Sequence, residues 1–207
     1  AKFVHCIDSE KNVVQQGQEL FKYYGIPKTQ YRFEIMEANK FLKLQGENKF
    51  DTLFCLGLLY YIQDPFQCLQ LMKQVTKNTI LLDTFTALYA AVQGKQANII
   101  RNHLNEDTLT LPMMLVLPTK SKKNDYKLPN SFSGKGADLS LVAYPTISLL
   151  ETWFRSLNLK YERVDWKSYN PARKQWKDLL TPTQKKDSHW ADIYSSEIRV
   201  SYRLNSS

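Results

Sequence analysis

Glycine is scarce in this chain, which has 7 glycines in 207 residues and none before Gly17. A glycine-rich loop, of the kind that lets backbone approach a cofactor closely, is therefore absent at the amino end. Cysteine is also scarce: Cys6, Cys55 and Cys68 form an odd set without metal-ligand spacing, and the 3 histidines are far apart. These absences exclude a disulfide framework and predict no metal site, with reduced, buried thiols of the kind typical of the cytoplasm.

Long apolar runs are missing as well. No run reaches the roughly 18 residues that a membrane span needs, and the first residues lack the basic-then-apolar order of a signal peptide. The apolar content of 43% is nevertheless ample for a core. We therefore expect a cytoplasmic protein with one domain over residues 1–207, in which residues 85–143 form an insertion or lid.

The chain does contain short apolar runs separated by helical sequence. Strands are predicted at Phe3–Ile7, Tyr31–Met36, Thr52–Leu59 and Thr79–Thr84, with helices between them at Glu10–Tyr24, Phe41–Asn48 and Pro65–Thr76. This alternation predicts right-handed crossovers and a parallel sheet. Because Thr52–Leu59 is apolar on both faces, we expect it at the centre of one sheet, next to Thr79–Thr84 and together with Phe3–Ile7.

After Thr84 the regular alternation stops. One helix is predicted at Leu88–His103, and the polar tract Lys120–Asp138 is long for a structureless loop, so we interpret it as a functional lid or a partly disordered segment. Order returns with a helix at Pro145–Leu157 and with strands at Lys160–Trp166 and Glu197–Leu204.

Groups that can face a ligand follow the predicted strands. Asp8 ends the first strand, and Gly57, Tyr60 and Tyr61 come at the end of the third. Ligands of open α/β sheets bind outside the carboxyl ends of the strands, so these residues predict a crevice for a nucleotide-type cofactor. The alternatives are a helix cap for Asp8, a bulge for Gly57 and a half-buried aromatic with a wet hydroxyl for Tyr60.

The net charge of +8 is concentrated in two runs, Thr119–Lys127 and Lys167–Lys186, and the second carries Tyr169 and Trp176 among its charges. Basic groups interleaved with aromatic rings suit RNA or another polyanion. The alternative is that both runs are solvated surface.

In this order of elements the chain resembles the class I S-adenosylmethionine-dependent methyltransferases, starting at the second strand of that family. The resemblance implies that Asp8 ends that strand and binds the ribose hydroxyls, and that Met36 and Glu37 lie where the family contacts adenine. The segments that carry it further along are FDTLFCLGLLYYIQDP, LETWFRSLNLKYERVDW and EIRVSYRL. It implies a Rossmann-like, mostly parallel sheet with helices on both faces and an antiparallel last strand.

A closer likeness is to the bacterial tRNA wobble-uridine carboxymethyltransferase group, carried by FCLGLLY (Phe54–Tyr60), PTISLLETWF and ARKQWK (Ala172–Lys177). It implies S-adenosylmethionine or carboxy-S-adenosylmethionine as the cofactor, and tRNA or a small molecule as the acceptor. The implied cofactor contacts are Asp8, Met36, Glu37, Leu56 and Gly57. The implied catalytic residue is Tyr60, and the implied substrate contacts are Tyr61, Arg173, Trp176 and Arg199.

The first strand of that family and its G-x-G-x-G loop have no counterpart here. The simplest explanation is an N-terminal truncation, which predicts weak or absent cofactor binding and a sheet edge through which the chain could form homo-oligomers. Two functions remain open. One is a methyltransferase domain; the other is a non-catalytic Rossmann-like module that binds RNA or a protein partner through its basic surface.

Overall fold

The computed structural model describes residues 1–92, 97–120, 139–168 and 190–206. The strands within these ranges are β1 (Val4–Asp8), β2 (Tyr31–Ile35), β3 (Phe50–Leu56), β4 (Thr76–Phe85), β5 (Met114–Lys120), β6 (Leu139–Pro145), β7 (Leu159–Arg163) and β8 (Arg199–Ser206). The α-helices are α1 (Lys11–Tyr23), α2 (Ala38–Lys43), α3 (Pro65–Val75), α4 (Ala87–Val92), α5 (Ala97–His103), α6 (Glu106–Thr110), α7 (Ile147–Ser156) and α8 (Trp190–Ser195). Short 3-10 turns lie at Lys28–Gln30, Leu59–Tyr61 and Trp166–Ser168.

The strands of the described residues form three sheets. In the first sheet β1 pairs in parallel with β2. In the second β3 pairs in parallel with β4, and the sheet continues into antiparallel β8 and β7 in the order β3-β4-β8-β7. The third sheet is the antiparallel pair of β5 and β6. The parallel neighbours β3 and β4 and the antiparallel last strand are as predicted.

The expectation of one sheet with the third strand at its centre is wrong. β1 shares its ladder with β2 alone, and β3 is the edge strand of the four-stranded sheet. The prediction failed because an apolar run shows that the side chains on both faces of a strand are apolar, and does not show whether other strands pair with both of its edges. On β3, Cys55 is 3% exposed, whereas Phe54 and Leu56 on the other face are 63% and 61% exposed. One face and one edge of this strand therefore lack cover among the described residues.

The main core lies on the other face of the four-stranded sheet, beneath α2, α3 and α7. Its fully buried members include Leu69, Met72, Leu82, Phe154 and Tyr202. The helix α3 begins as the sequence predicted, because the Asp64 side chain accepts a hydrogen bond from the Gln67 N–H at 2.9 Å and Pro65 takes the first helical position. The two cysteines facing this core, Cys55 and Cys68, are buried and free, whereas Cys6 is half-buried.

The segment after β4 agrees with the prediction in part. Helices α4 and α5 cover the two ends of the predicted helix Leu88–His103, and residues 93–96 lie outside the described part. The strands β5 and β6 were not predicted. Pro118 lies within β5 opposite Leu141, and a strand with one unpartnered side tolerates a residue that has no N–H. Of the predicted lid Lys120–Asp138, residues 121–138 lie outside the described ranges. Within those ranges no helix has both the length and the apolar content to cross a membrane.

Candidate functional site

The carboxyl ends of β3 and β4 lie side by side and carry a cluster of polar groups. Leu56 at the end of β3 lies opposite Asp83 on β4, and the Gly57 N–H donates to the Asp83 carbonyl oxygen at 2.9 Å. Because β8 runs antiparallel, its first residue, Arg199, lies opposite Phe85 at the same end of the sheet. The strands β4 and β8 therefore place polar side chains beside the carboxyl end of β3, at the end of the sheet where open α/β sheets bind ligands.

Asp83 is the hub of this cluster and is only 6% exposed. Its carboxylate accepts hydrogen bonds from Arg199 Nε at 2.5 Å, Ser201 Oγ at 2.7 Å and Tyr194 Oη at 3.0 Å. A terminal guanidinium nitrogen of Arg199 contacts the same carboxylate. Trp166 Nε1 donates to Ser201 Oγ at 3.1 Å and extends the network. A buried carboxylate persists only when paired and hydrogen-bonded in this way.

The Arg199 guanidinium also contacts two aromatic rings and lies close to Gly57. Its guanidinium carbon lies 4.8 Å from the Phe85 ring centroid and 5.9 Å from that of Tyr194, which are cation–π distances. A β-carbon built on Gly57 would lie 3.1 Å from an Arg199 terminal nitrogen and 3.6 Å from Tyr60 Oη. The structure thus brings together three of the predicted site residues, Gly57, Tyr60 and Arg199.

Gly57 has a backbone φ of 69°, the left-handed region that side chains other than glycine rarely adopt. The positive φ ends β3 and turns the chain into the Leu59–Tyr61 turn. A glycine is therefore required at position 57 for two reasons. Its backbone conformation is strained for other residues, and the Arg199 guanidinium lies where a β-carbon would crowd it.

Tyr60 belongs to an aromatic cluster next to this network. Its ring centroid lies 4.3 Å from that of Tyr61, 5.1 Å from Phe85 and 5.8 Å from Tyr144. Burial, with the neighbouring Tyr61 as the next cause, raises the Tyr60 pKa well above its ordinary value. The phenol therefore stays protonated near neutral pH, and it can donate or accept a hydrogen bond but cannot act as a base there.

The remaining predicted cofactor contacts lie at the carboxyl ends of β1 and β2. The Met36 N–H donates to the Asp8 carbonyl oxygen at 2.9 Å, so these residues are adjacent. Asp8 Oδ1 accepts from the Glu10 N–H at 2.8 Å, which closes a local turn before α1, and the described residues offer no hydrogen bond to Oδ2. The alternative of a helix cap is not what the structure has, because the N-cap of α1 is Glu10 and no side chain caps it. Met36 packs against the main core, while Glu37 is exposed.

The other predicted contacts are less well placed. Leu56 is exposed on the bare face of β3, and Tyr61 is half-buried beside Tyr60. Arg173 and Trp176 lie outside the described residues, as does almost all of the basic run Lys167–Lys186. They therefore remain predictions.

The sequence reasoning missed the hub of the site. Asp83 lies inside the apolar strand run TILLDTF, and a carboxylate in such a run demands a buried partner. That signal was present and would have pointed to Asp83. Tyr194 and Ser201 carry no comparable signal, because their role depends on the antiparallel register between β4 and β8.

An adenosine-type cofactor fits this edge in part. The Oδ2 of Asp8 suits ribose hydroxyls and Met36 offers an apolar contact, whereas the space where a β-carbon of Gly57 would lie is taken by Arg199 and Tyr60. None of the described glycines forms a cradle next to β1: Gly17 lies within α1, where a β-carbon would come within 2.5 Å of the Phe33 ring. The described residues therefore offer contacts for the adenosine part of such a cofactor, and no glycine-rich loop for its methionine part.

No protein-family model matches this chain, and no curated protein matches it. Solved structures do match it over almost its whole length. An S-adenosylmethionine-dependent methyltransferase from Mesorhizobium loti is 12% identical, with a TM-score of 0.54 over 99% of this chain and 81% of that one. The N-terminal domain of EvdMO1, solved with S-adenosylhomocysteine (SAH) and D-fucose, is 14% identical, with a TM-score of 0.54 over 99% and 66%.

A third match is the complex between the Haloferax volcanii Trm112 methyltransferase activator and a candidate methyltransferase, at 10% identity and a TM-score of 0.55 over 99% of this chain and 72% of that one. Identities this low establish the fold alone. The chain has the α/β, Rossmann-like fold of S-adenosylmethionine-dependent methyltransferases, so this part of the predicted fold class is confirmed. The strand pairing is mixed rather than mostly parallel, and the truncation stays a prediction.

Proposed function

We propose that this chain is an S-adenosylmethionine-dependent methyltransferase domain whose site lies at the carboxyl ends of β1, β3 and β4. The observation that carries the proposal is the convergence of Gly57, Tyr60 and Arg199 at that edge. It is supported by the fold and by Asp8 and Met36 at the neighbouring strand ends.

When bound, the cofactor would supply a methyl group on a sulfonium, which an acceptor nucleophile displaces. The protein's contribution to such a transfer is mainly alignment and the exclusion of water. Asp8 would hold the ribose, and Gly57 would let the Arg199 guanidinium lie close to the end of β3. The protonated Tyr60 phenol would orient the acceptor or the cofactor by hydrogen bonding, with Phe85 and Tyr144 as the apolar wall behind it.

The charge balance favours S-adenosylmethionine over its carboxylated form. An unpaired arginine at this edge would attract an additional carboxylate. Arg199 is instead already paired with the buried Asp83, so the pair is neutral overall. For the acceptor we propose tRNA, on the likeness to the wobble-uridine enzymes and the basic run Lys167–Lys186, with a small molecule as the second choice.

A second candidate is a non-catalytic module that binds RNA or a protein partner. What favours it is the absence of a glycine-rich cradle beside β1 among the described residues. A protein partner is supported by one similar structure, in which a candidate methyltransferase is in complex with the Haloferax volcanii Trm112 methyltransferase activator.

An NMR titration of SAH into the 207-residue protein tests the methyltransferase proposal even if binding is weak. We expect amide shifts confined to the surroundings of Asp8, Met36 and Gly57, and a dissociation constant weaker than about micromolar, since the methionine end lacks a cradle. Asp8→Ala should remove the shifts, whereas Asp51→Ala, an exposed carboxylate at the opposite end of β3, should leave them unchanged. No shift at this edge at millimolar SAH would favour the non-catalytic module.

A further inference from the structure

A cavity of about 190 Å³ lies beside the Asp83 network, between the end of β7 on one side and α8 and the start of β8 on the other. We call it the β7–β8 cavity. Sites for drug-sized ligands have volumes of roughly 300–1,000 Å³. The β7–β8 cavity is smaller, so it suits a group of one or two rings rather than a whole nucleotide.

One wall of the β7–β8 cavity is aromatic and held in place. Trp166 and Tyr194 line it, and their ring centroids lie 4.9 Å apart. Trp166 Nε1 donates to Ser201 Oγ at 3.1 Å, and Tyr194 Oη donates to the Asp83 carboxylate at 3.0 Å. Because these bonds already order both rings, a flat ligand can stack on them at little cost in side-chain ordering.

The charges that line the β7–β8 cavity balance. The cations are Arg163 and Arg199, and the anions are Asp165 and Glu197. Arg199 is paired with Asp83, and Arg163 Nη1 lies 3.1 Å from Glu197 Oε1. A lining without surplus positive charge does not attract a phosphate or a free carboxylate. It therefore favours an uncharged ligand.

Glu197 has a backbone conformation that is unusual for its residue type. Its φ is 65°, and the two other non-glycine residues with a positive φ in the described part of the chain are both asparagines, Asn48 and Asn158. The conformation follows from the end of α8, since the Glu197 N–H donates to the Tyr194 carbonyl oxygen at 3.1 Å. Glycine or asparagine is the usual residue just after a helix in this conformation. A strained glutamate there indicates a use for its side chain.

The ion pair of Arg163 and Glu197 places a hydrogen-bond donor beside an acceptor at the cavity. The two side chains are 40% and 31% exposed, so a ligand can reach both. A guanidinium has five N–H donors and a carboxylate about four acceptor sites, which is more than one contact between them uses. A ring edge with an N–H next to a carbonyl matches this pair, because Glu197 accepts from the N–H while Arg163 donates to the carbonyl oxygen.

We propose that the β7–β8 cavity binds an uncharged planar heterocycle whose edge carries an N–H next to a carbonyl, as the uracil ring does. The ring packs against Trp166 and Tyr194, and its edge bonds to Glu197 and Arg163. Such rings occur as free small molecules and as bases of nucleic acids.

A role for this ring as part of the methyl acceptor rests on the function proposed above, and it fits the position of Arg199, which borders both the cavity and Gly57. The binding itself needs no cofactor. Its failure is therefore distinguishable from failure of the proposed activity, which the SAH titration tests at Asp8 and Met36.

An NMR titration of 1-methyluracil into the 207-residue protein tests the cavity without cofactor. This compound has a single N–H, between two carbonyls, and in 1,3-dimethyluracil a methyl group replaces that hydrogen. We expect shifts of the Trp166 indole N–H and of the Arg163 and Glu197 amides, with a dissociation constant of about millimolar. 1,3-Dimethyluracil should bind at least about tenfold more weakly, because it offers Glu197 no N–H.

A matched pair of variants separates ligand binding from stability. Glu197→Gly removes the acceptor and also relieves the positive-φ strain, so it should weaken 1-methyluracil binding by at least about tenfold without lowering the midpoint of urea unfolding. Asn158→Gly makes the same exchange at a φ of 51°, at the amino end of β7, and should leave binding unchanged.

Pentauridylate in the same titration distinguishes the two sources of the ring. Binding at least about tenfold tighter than that of 1-methyluracil identifies a base of single-stranded RNA, and equal or weaker binding identifies a free small molecule. Three results would overturn the proposal. These are no shift at the cavity with about 10 mM 1-methyluracil, equal affinities for the two uracils, or undiminished binding by Glu197→Gly.

Discussion

The Asp83 carboxylate and the Arg199 guanidinium form a buried ion pair that ties β4 to β8 beside the end of β3. The ion pair fixes the position of the Arg199 guanidinium, which lies close to Gly57 and against the Phe85 ring at the proposed site. Its effects on stability and on the geometry at Gly57 can be separated by substitution.

Asp83→Asn should destabilise the protein by about 3 kcal/mol, the low end for breaking a buried pair, because it leaves the Arg199 charge without its partner. The low end applies since 25% of the Arg199 side chain is exposed. Urea unfolding monitored by tryptophan fluorescence measures the change. Asp51→Asn, at an exposed position, is the matched control and should change stability by less than about 0.5 kcal/mol. Equal stabilities of the two variants would show that the pair contributes nothing.

Gly57→Ala should cost more than Gly25→Ala. Both glycines have a positive φ, 69° and 68°, so each alanine incurs about 1–2 kcal/mol of backbone strain. Gly25 has open space around it, whereas a β-carbon at Gly57 lies 3.1 Å from the Arg199 guanidinium. The difference between the two variants in urea unfolding therefore reports the displacement of Arg199. Gly46→Ala, with no such strain and open space, should be neutral or slightly stabilising.

Stability should fall in alkali between about pH 10 and pH 12. Burial, followed by the charge of Asp83, raises the pKa of Tyr194 to about 12. In the unfolded chain a tyrosine titrates near its ordinary value of about 10. Over this window the unfolded state has released a proton that the folded state still holds, so stability is full below pH 10 and is lost as the pH rises.

The measurement is the slope of unfolding free energy against pH over that window. In Tyr194→Phe the slope should be smaller than in the unsubstituted protein, because the proton that the folded state holds on the Tyr194 phenol no longer contributes to it. The control is Tyr23→Phe, because that ring is 82% exposed in the structure. If both variants keep the original slope, the neutral phenol of Tyr194 is not what couples stability to alkali.

The sequence predicted well where the helices and strands lie along the chain, and predicted poorly which strands pair with one another. The helix-separated apolar runs located β1 to β4 to within a few residues, because period and capping are local properties. The position of β3 at an edge was not predictable, since an apolar run does not tell which strands lie beside it. At the site, Asp8, Gly57 and Tyr60 could be proposed from the sequence because they lie at or just after the ends of strands, and their roles stay predictions. The carboxylate of Asp83 within an apolar run was a signal, but its partners could not be predicted because they come from β8 and α8, more than a hundred residues later.

Asp8→Ala should weaken SAH binding by about 1–3 kcal/mol, which is the cost of losing a partner to buried hydroxyls. The NMR titration of SAH into each protein measures this loss. Asp51→Ala should bind as tightly as the unsubstituted protein. An unchanged affinity for Asp8→Ala would leave Asp8 only its local role, the hydrogen bond from the Glu10 N–H.

The proposed tRNA acceptor gives a prediction for the basic run Lys167–Lys186. Several lysines and arginines that neutralise phosphates make RNA affinity fall steeply with salt, because condensed counterions are released on binding. Reversing the charge at Arg173 and Lys174 to glutamate should weaken tRNA binding and flatten its salt dependence. Filter binding over a range of potassium chloride concentrations measures both quantities, and circular dichroism checks the fold. Matched reversals at Lys2 and Lys28, exposed positions elsewhere in the sequence, should leave the salt slope unchanged. If the protein has no tRNA affinity even at low salt, yet methylates a small molecule, then the acceptor is that small molecule and the basic run is solvated surface.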